Sequence, residues 1–173
     1  MRTHPCPRRG VAAVEFAFVL PVLFTLMIGT WQMGRVIQVQ QILVNAAREG
    51  ARLASQGQTI NTSGSYTQIQ TSSGTPNVQQ TVLDYLKGAG ITNTTGVTVT
   101  FQFLNGNTGN TEPYQGTKNQ LFQVTVTIPY NNVRISSIDL ISMTNLSGSV
   151  QWVSMADDPF SVNTSIPTWT ALP

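Results

Sequence analysis

The chain is poor in the side chains that carry most enzyme chemistry. Its 173 residues include one cysteine, Cys6, and one histidine, His4, so neither type occurs beyond residue 10. An intramolecular disulfide is therefore excluded. The usual zinc, haem, cysteine-nucleophile and Ser-His-Asp arrangements lack their ligands or bases. Charge is also scarce: Asp, Glu, Lys and Arg make up 9% of the chain, against about 25% in an average soluble protein. With 40% hydrophobic residues beside so few charges, a disordered charged tail is excluded. Lys87 and Lys118 form no basic stripe, so a nucleic-acid partner is not expected. No phosphate-cradling glycine motif occurs. Asp157 and Asp158 are adjacent and lack the spacing of a calcium loop, so they read as a solvated turn. No catalytic residue, metal or cofactor is expected, and the chain reads as non-enzymatic.

The few charges are unevenly placed. Residues 1–55 hold six arginines against Glu15 and Glu49, whereas residues 56–173 carry an excess of acid. The basic pI near 9.0 therefore belongs to the N-terminal end.

What the chain does have is one long hydrophobic run. Val11 to Gly34 contains a single charge, Glu15, and includes the uninterrupted stretch FAFVLPVLFTLMIGTWQMG. About 20 apolar helical residues cross a bilayer core, so this segment is long enough to span. Arg2, Arg8 and Arg9 precede it, which places the N-terminus in the cytoplasm and the residues beyond Arg35 outside. Trp31 falls near the far interface. A signal peptide would have a shorter apolar region and a small-residue site directly after it; the first such site, Val44-Asn45-Ala46, comes well past Gly34.

Glu15 is costly near hydrocarbon. It stays wet if it lies close to the cytoplasmic surface. Its spacing also admits a second role. Were the chain cut after Gly10, the α-amine of Val11 would lie four residues before Glu15, on the same helix face. A buried charge that is paired costs far less than a lone one.

The string RRGVAAVEFAFVLPVLFTLMIGTWQMGRVIQVQQILVNAAREGARLAS, about residues 8–55, resembles the N-terminal region of TadE-like proteins. These are pseudopilins, or minor pilins, of the tight adherence (Tad, type IVc) pilus system. The likeness rests on Arg8 and Arg9, Gly10, Glu15 with Phe16, Pro21 inside the apolar run, and the closing Ala46-Ala47-Arg48-Glu49-Gly50-Ala51-Arg52. Phe16 stands where the related Flp-type motif has tyrosine, and Val11 where type IVa pilins carry phenylalanine. The resemblance implies that residues 1–10 are a leader, removed by a prepilin peptidase at the Gly10–Val11 bond. It further implies assembly through Glu15 with other pilin and pseudopilin subunits, and residence in the bacterial inner membrane as a single-pass protein. The alternative function is a membrane-anchored module that keeps residues 1–10 and binds a cell-wall or surface polysaccharide through Tyr66, Tyr114, Trp152 or Trp169.

Beyond the membrane, Val36, Val39, Leu43, Ala46, Gly50 and Leu53 recur at helical spacing. A single helix over 11–55 is expected, its segment 35–55 amphipathic. Ala46, Gly50 and Ala54 form a strip of small residues that lets another backbone approach. The neighbour there is either this chain's own sheet or a second subunit's stalk. Residues 56–75 read as a polar loop or linker. Pro76–Lys87 reads as a helix with proline at its first position, ended by Gly88 and Gly90, and Asp84 and Lys87 fit an i, i+3 pair. Alternating residues predict strands at Val97–Leu104 and Phe122–Ile128. A third strand is expected around Leu146, Val150 and Trp152, with Asn145 or Gly148 as a turn or bulge, and Ile135, Ile138 and Ile141 suit a short helix. Asp139 and Glu112 have no visible partner in the sequence. The expectation is an α+β, pilin-like chain: a stick-like helix carrying an extracytoplasmic head at 56–173.

Overall fold

The computed structural model describes residues 9–60, 63–106, 108–134 and 143–156. In chain order the elements are α1 (Arg9–Ala54), β1 (Gln58–Ile60), β2 (Tyr66–Gln68), α2 (Val78–Gly88), β3 (Thr98–Phe103), β4 (Leu121–Pro129) and β5 (Asn145–Val153). Single 3-10 turns stand at Pro113–Gln115 and Tyr130–Asn132. The α+β layout expected of the sequence is present: one long helix, a short second helix, and antiparallel sheets of two and three strands. The short helix expected around Ile138 and the segment after Asp157 lie outside the described residues.

The 46 residues of α1 are about 69 Å long at 1.5 Å per residue, and Pro21 lies inside the helix. In the apolar half, Thr25 donates its hydroxyl to the Pro21 carbonyl (2.9 Å) and Thr30 donates to the Met27 carbonyl (2.9 Å). Both polar groups are thus tied to the helix backbone, which hydrocarbon surroundings demand.

The upper half of α1 is the spine of the head. Val36, Val39, Leu43, Ala46, Ala47, Gly50, Ala51 and Ala54 are buried. Against them lies the three-stranded sheet in the order β3-β4-β5, with α2 alongside. Strand register follows the alternation read from the sequence: Phe101 opposes Val124, Phe103 opposes Phe122, and Val124 opposes Val150. Phe122, Val124, Val126 and Ile128 turn inward and are buried. Phe101, Phe103 and Phe122 meet at ring-centroid distances of 4.9 to 6.4 Å, within the range where aromatic pairs attract beyond their area. The other face carries uncharged cross-strand rows: Thr98, Thr127 and Ser147; Thr100, Thr125 and Ser149; Gln102, Gln123 and Gln151.

Several expectations are corrected. Residues 56–75 are not simply linker: β1 and β2 pair as a small antiparallel hairpin, Gln58 opposite Gln68, and Ile69 behind it is fully buried. Pro76 is not the first residue of α2. Asn77 caps that helix, its side-chain oxygen accepting from the Gln80 N–H (2.7 Å), because an asparagine oxygen satisfies a donor that the first turn leaves open. At the other end Gly90 adopts φ +89, its N–H bonding the Lys87 carbonyl, while the Ile91 N–H bonds that of Leu86. That is a Schellman stop, which requires the left-handed glycine. Asp84 accepts from Gln80 (2.8 Å) in place of the Lys87 pairing. Glu112 does have a partner: it accepts from the Thr71 N–H at 2.6 Å, 41 residues away in sequence.

Gly148 is neither turn nor bulge. It pairs with Val126 in the middle of β5, and a Cβ built there would lie 2.7 Å from the Val44 nitrogen and 2.8 Å from the Leu43 carbonyl carbon. The missing side chain lets strand and helix meet backbone to backbone. At Gly50 the obstruction would be the side chains of Val82 (2.8 Å) and Val78 (3.1 Å). In detergent-solubilised protein, Gly148→Ala is expected to lower unfolding stability by about 1–3 kcal/mol. Gly50→Ala should cost less, since the gain in helix propensity offsets part of the crowding. Gly88→Ala, with nothing within 4 Å of the added carbon, should cost nothing. Equal stability of the Gly148→Ala and Gly88→Ala proteins would contradict this packing.

Candidate functional site

The sequence features that point to function all lie on α1, and the structure separates them into two regions. In the lower half, side chains from Val11 to Met33 are nearly all exposed, Phe18 at 78% and Trp31 at 66%. No part of the most apolar 18-residue stretch is buried, and the helix is long and apolar enough to cross a membrane. A soluble core helix of this composition would be covered by its own chain. Here apolar groups surround the helix without cover.

Gly10, Val11, Glu15 and Phe16 are at the start of this bare half. The Gly10–Val11 bond falls in the first turn of α1, where backbone N–H groups have no helical acceptors. Val11, Glu15 and Phe16 are exposed. One helical turn separates Val11 from Glu15, so the two share a face.

Ala46, Gly50 and Ala54 are in the other region. All three are buried, and the nearest groups over Gly50 belong to Val82 and Val78 of α2 and Val124 of β4. Of the two neighbours that the small-residue strip admits, this chain's own head is the one in place, with α2 and β4 both over Gly50. What remains uncovered on the upper helix is the polar face. There Ile37, Gln40, Gln41, Val44, Asn45 and Arg48 line a shallow concavity of about 420 Å³.

Arg52 on this face pairs with Glu49 (2.6 Å). The hydrogen bond from Arg52 holds the Glu49 carboxyl below the ordinary glutamate range. A lowered carboxylate pKa contributes stability above the ordinary value, and loses it as pH falls through the lowered one. Both groups are solvated, so the contribution is small. Arg48 donates to Asn45 (3.4 Å).

Three of the aromatic residues considered for ligand binding are described. Tyr66 is exposed on β2, whereas Tyr114 and Trp152 are half-buried; Trp169 lies outside the described residues. Among the described residues no group of three or more His, Cys, Asp or Glu side chains gathers.

Sequence reasoning missed one contact at the junction of the two regions. Arg35, at the start of the amphipathic segment, donates from Nε to the Val133 carbonyl (3.3 Å) and from a terminal nitrogen to Gln38 (3.0 Å). No local pattern announces it, since Val133 is 98 residues away.

Neither a curated protein nor a solved structure matches this chain. Residues 10–52, which hold the bare apolar half, Glu15, Ala46 and Gly50, match the family model described as TadE-like protein, the family whose likeness the sequence carries in this same stretch.

Proposed function

We propose that this chain is a structural pseudopilin of a Tad-type (type IVc) pilus system. It is inserted into the inner membrane with its N-terminus in the cytoplasm, and a prepilin peptidase cuts it after Gly10. It then works with other pilin and pseudopilin subunits in pilus biogenesis, with its role in assembly and not in catalysis. The observation that carries this reading is the uncovered apolar half of α1, within the segment that matches the TadE-like model. A helix with no cover of its own needs lipid or other apolar helices around it. Such a helix can exchange the first environment for the second without refolding the head.

In this reading Glu15 has a defined task. Cleavage creates an α-amine at Val11, and the carboxylate one turn later pairs with it or with the amine of an adjacent stalk. Pairing lowers the cost of carrying both charges into an apolar bundle. Arg8 and Arg9 belong to the leader and hold the uncut chain N-in.

Intact-mass measurement of protein extracted from membranes that contain the peptidase should give a chain beginning at Val11. One beginning at Met1 would contradict processing and favour the unprocessed anchored module. Glu15→Ala should be cleaved at close to the normal rate and yet fail to enter pili, read by blotting sheared surface fractions. Normal incorporation of that variant would refute the pairing role.

A further inference from the structure

β5 is an edge of the three-stranded sheet, and the direction of its hydrogen bonds is fixed. The Ser154 N–H bonds the Gln120 carbonyl (2.8 Å), in register with the β4–β5 pairing. Even-numbered residues of β5 therefore turn their N–H and C=O groups to β4, and Ser147, Ser149 and Gln151 turn theirs away from it. Among the described residues no hydrogen bond reaches these outward groups. The strand also lacks the devices that keep an edge from pairing. Its nine residues hold no charge and no proline, and its register with β4 has no bulge.

A floor lies beside this edge. Gly148 sits against Val44, and Val44 lines the α1 concavity together with Ile37 and Arg48. Ile37 is 51% exposed, and Val150 and Trp152, on the helix-facing side of β5, are only half-buried. The edge accepts extended backbone, and the floor beneath it accepts an apolar side chain at every second position. A second copy's β5 does not fit. Antiparallel pairing of the two edges would point the two apolar half-helices in opposite directions, because β5 runs toward the end of α1, where the Met155 N–H bonds the Ser55 carbonyl (2.8 Å).

The sequence beyond Ala156 contains a segment of the right chemistry. Phe160, Val162, Thr164 and Ile166 alternate with Ser161, Asn163 and Ser165, without a charge and between Pro159 and Pro167. Such alternation bounded by proline is a strand signal. The segment also starts within reach. Ala156 lies against Gly57, and four residue steps lead from it to Phe160, or about 13 Å of extended chain. Asp157 and Asp158 fall within those steps and complement Arg48, which has no carboxylate partner among the described residues. We propose that the β5 edge and the concavity beside it receive this chain's own residues 160–166, which add a fourth strand antiparallel to β5. In it Phe160, Val162, Thr164 and Ile166 face α1. Ser161, Asn163 and Ser165 oppose Gln151, Ser149 and Ser147 and extend the uncharged outer rows.

The test uses the full chain in detergent, in a Cys6→Ser background. Cysteines are paired at Ser149→Cys and Asn163→Cys, whose Cβ atoms would stand about 5 Å apart across the new pair of strands, close enough for a disulfide. Mild oxidation should give a monomer that has lost two hydrogens and no longer reacts with maleimide. Thr98→Cys with Asn163→Cys, at the far edge of the sheet, should stay reduced. A disulfide-linked dimer overturns the own-chain assignment and gives the site to a second copy's segment. Absence of a crosslink, or equal crosslinking to 98 and 149, overturns the site. Hydrogen exchange of the chain without added cysteines supplies a second measurement. The amides of Ser147, Ser149 and Gln151 should exchange at least about tenfold more slowly than free peptide. Val162→Asp should remove that protection and leave the Val124 amide protected. Equal exchange of the three amides in the two proteins overturns the pairing.

Discussion

The structure depends on how closely the head can approach α1. A helix whose lower half is long and apolar enough to cross a membrane and whose upper half is a core element must present two different surfaces along one continuous rod. Above Arg35 it achieves this with small residues on one stripe, so that β5 comes up to the helix backbone at Gly148 and α2 lies over Gly50. Below Gln32 it carries large side chains on all sides, and nearly all of them are exposed. The head is fixed to the upper half by burial of Val39, Leu43, Ala46 and Ala51. Hydrophobic burial is roughly proportional to area, and close approach raises the area that such small residues can contribute.

On the proposed pilus reading, this division also bears on where neighbouring subunits meet the stalk. The strip of small residues, which in an isolated sequence invites another helix, is already occupied by α2 and β4. Other contacts to the upper half must use the opposite face, where Gln40, Gln41, Asn45 and Arg48 lie. The lower half imposes no such limit, because its apolar groups are available around the whole circumference.

Much of this was legible in the sequence. The α1 stripe, the alternation of β3 and β4 and the apolar positions of α2 come from periods of 3.6 and 2 repeated over enough residues to be seen. What escaped had no period or no local partner. β1 and β2 are three residues each and mostly polar, too short for alternation to register. Pro76 resembles a helix start because proline is favoured there, but Asn77 offers a better cap one position on. The Glu112–Thr71 and Arg35–Val133 bonds join residues far apart in the chain, and only the fold creates them. Gly148 is ambiguous because glycine within a strand pattern has two causes, a bulge or a close backbone approach, and sequence does not distinguish them. The site residues fared similarly: Glu15 and Gly10 are marked by motif, whereas the identity of the neighbour over Gly50 needs the packing.

The sheet's outer wall adds a property of a different sort. Its hydroxyl and amide rows, from Thr98 to Gln151, contain nothing that gains or loses a proton between strong acid and strong base. On the proposed topology, the head meets media whose acidity and salinity the cell does not control. This flank keeps the same charge in all of them, and holds its water through dipoles that counterions barely screen.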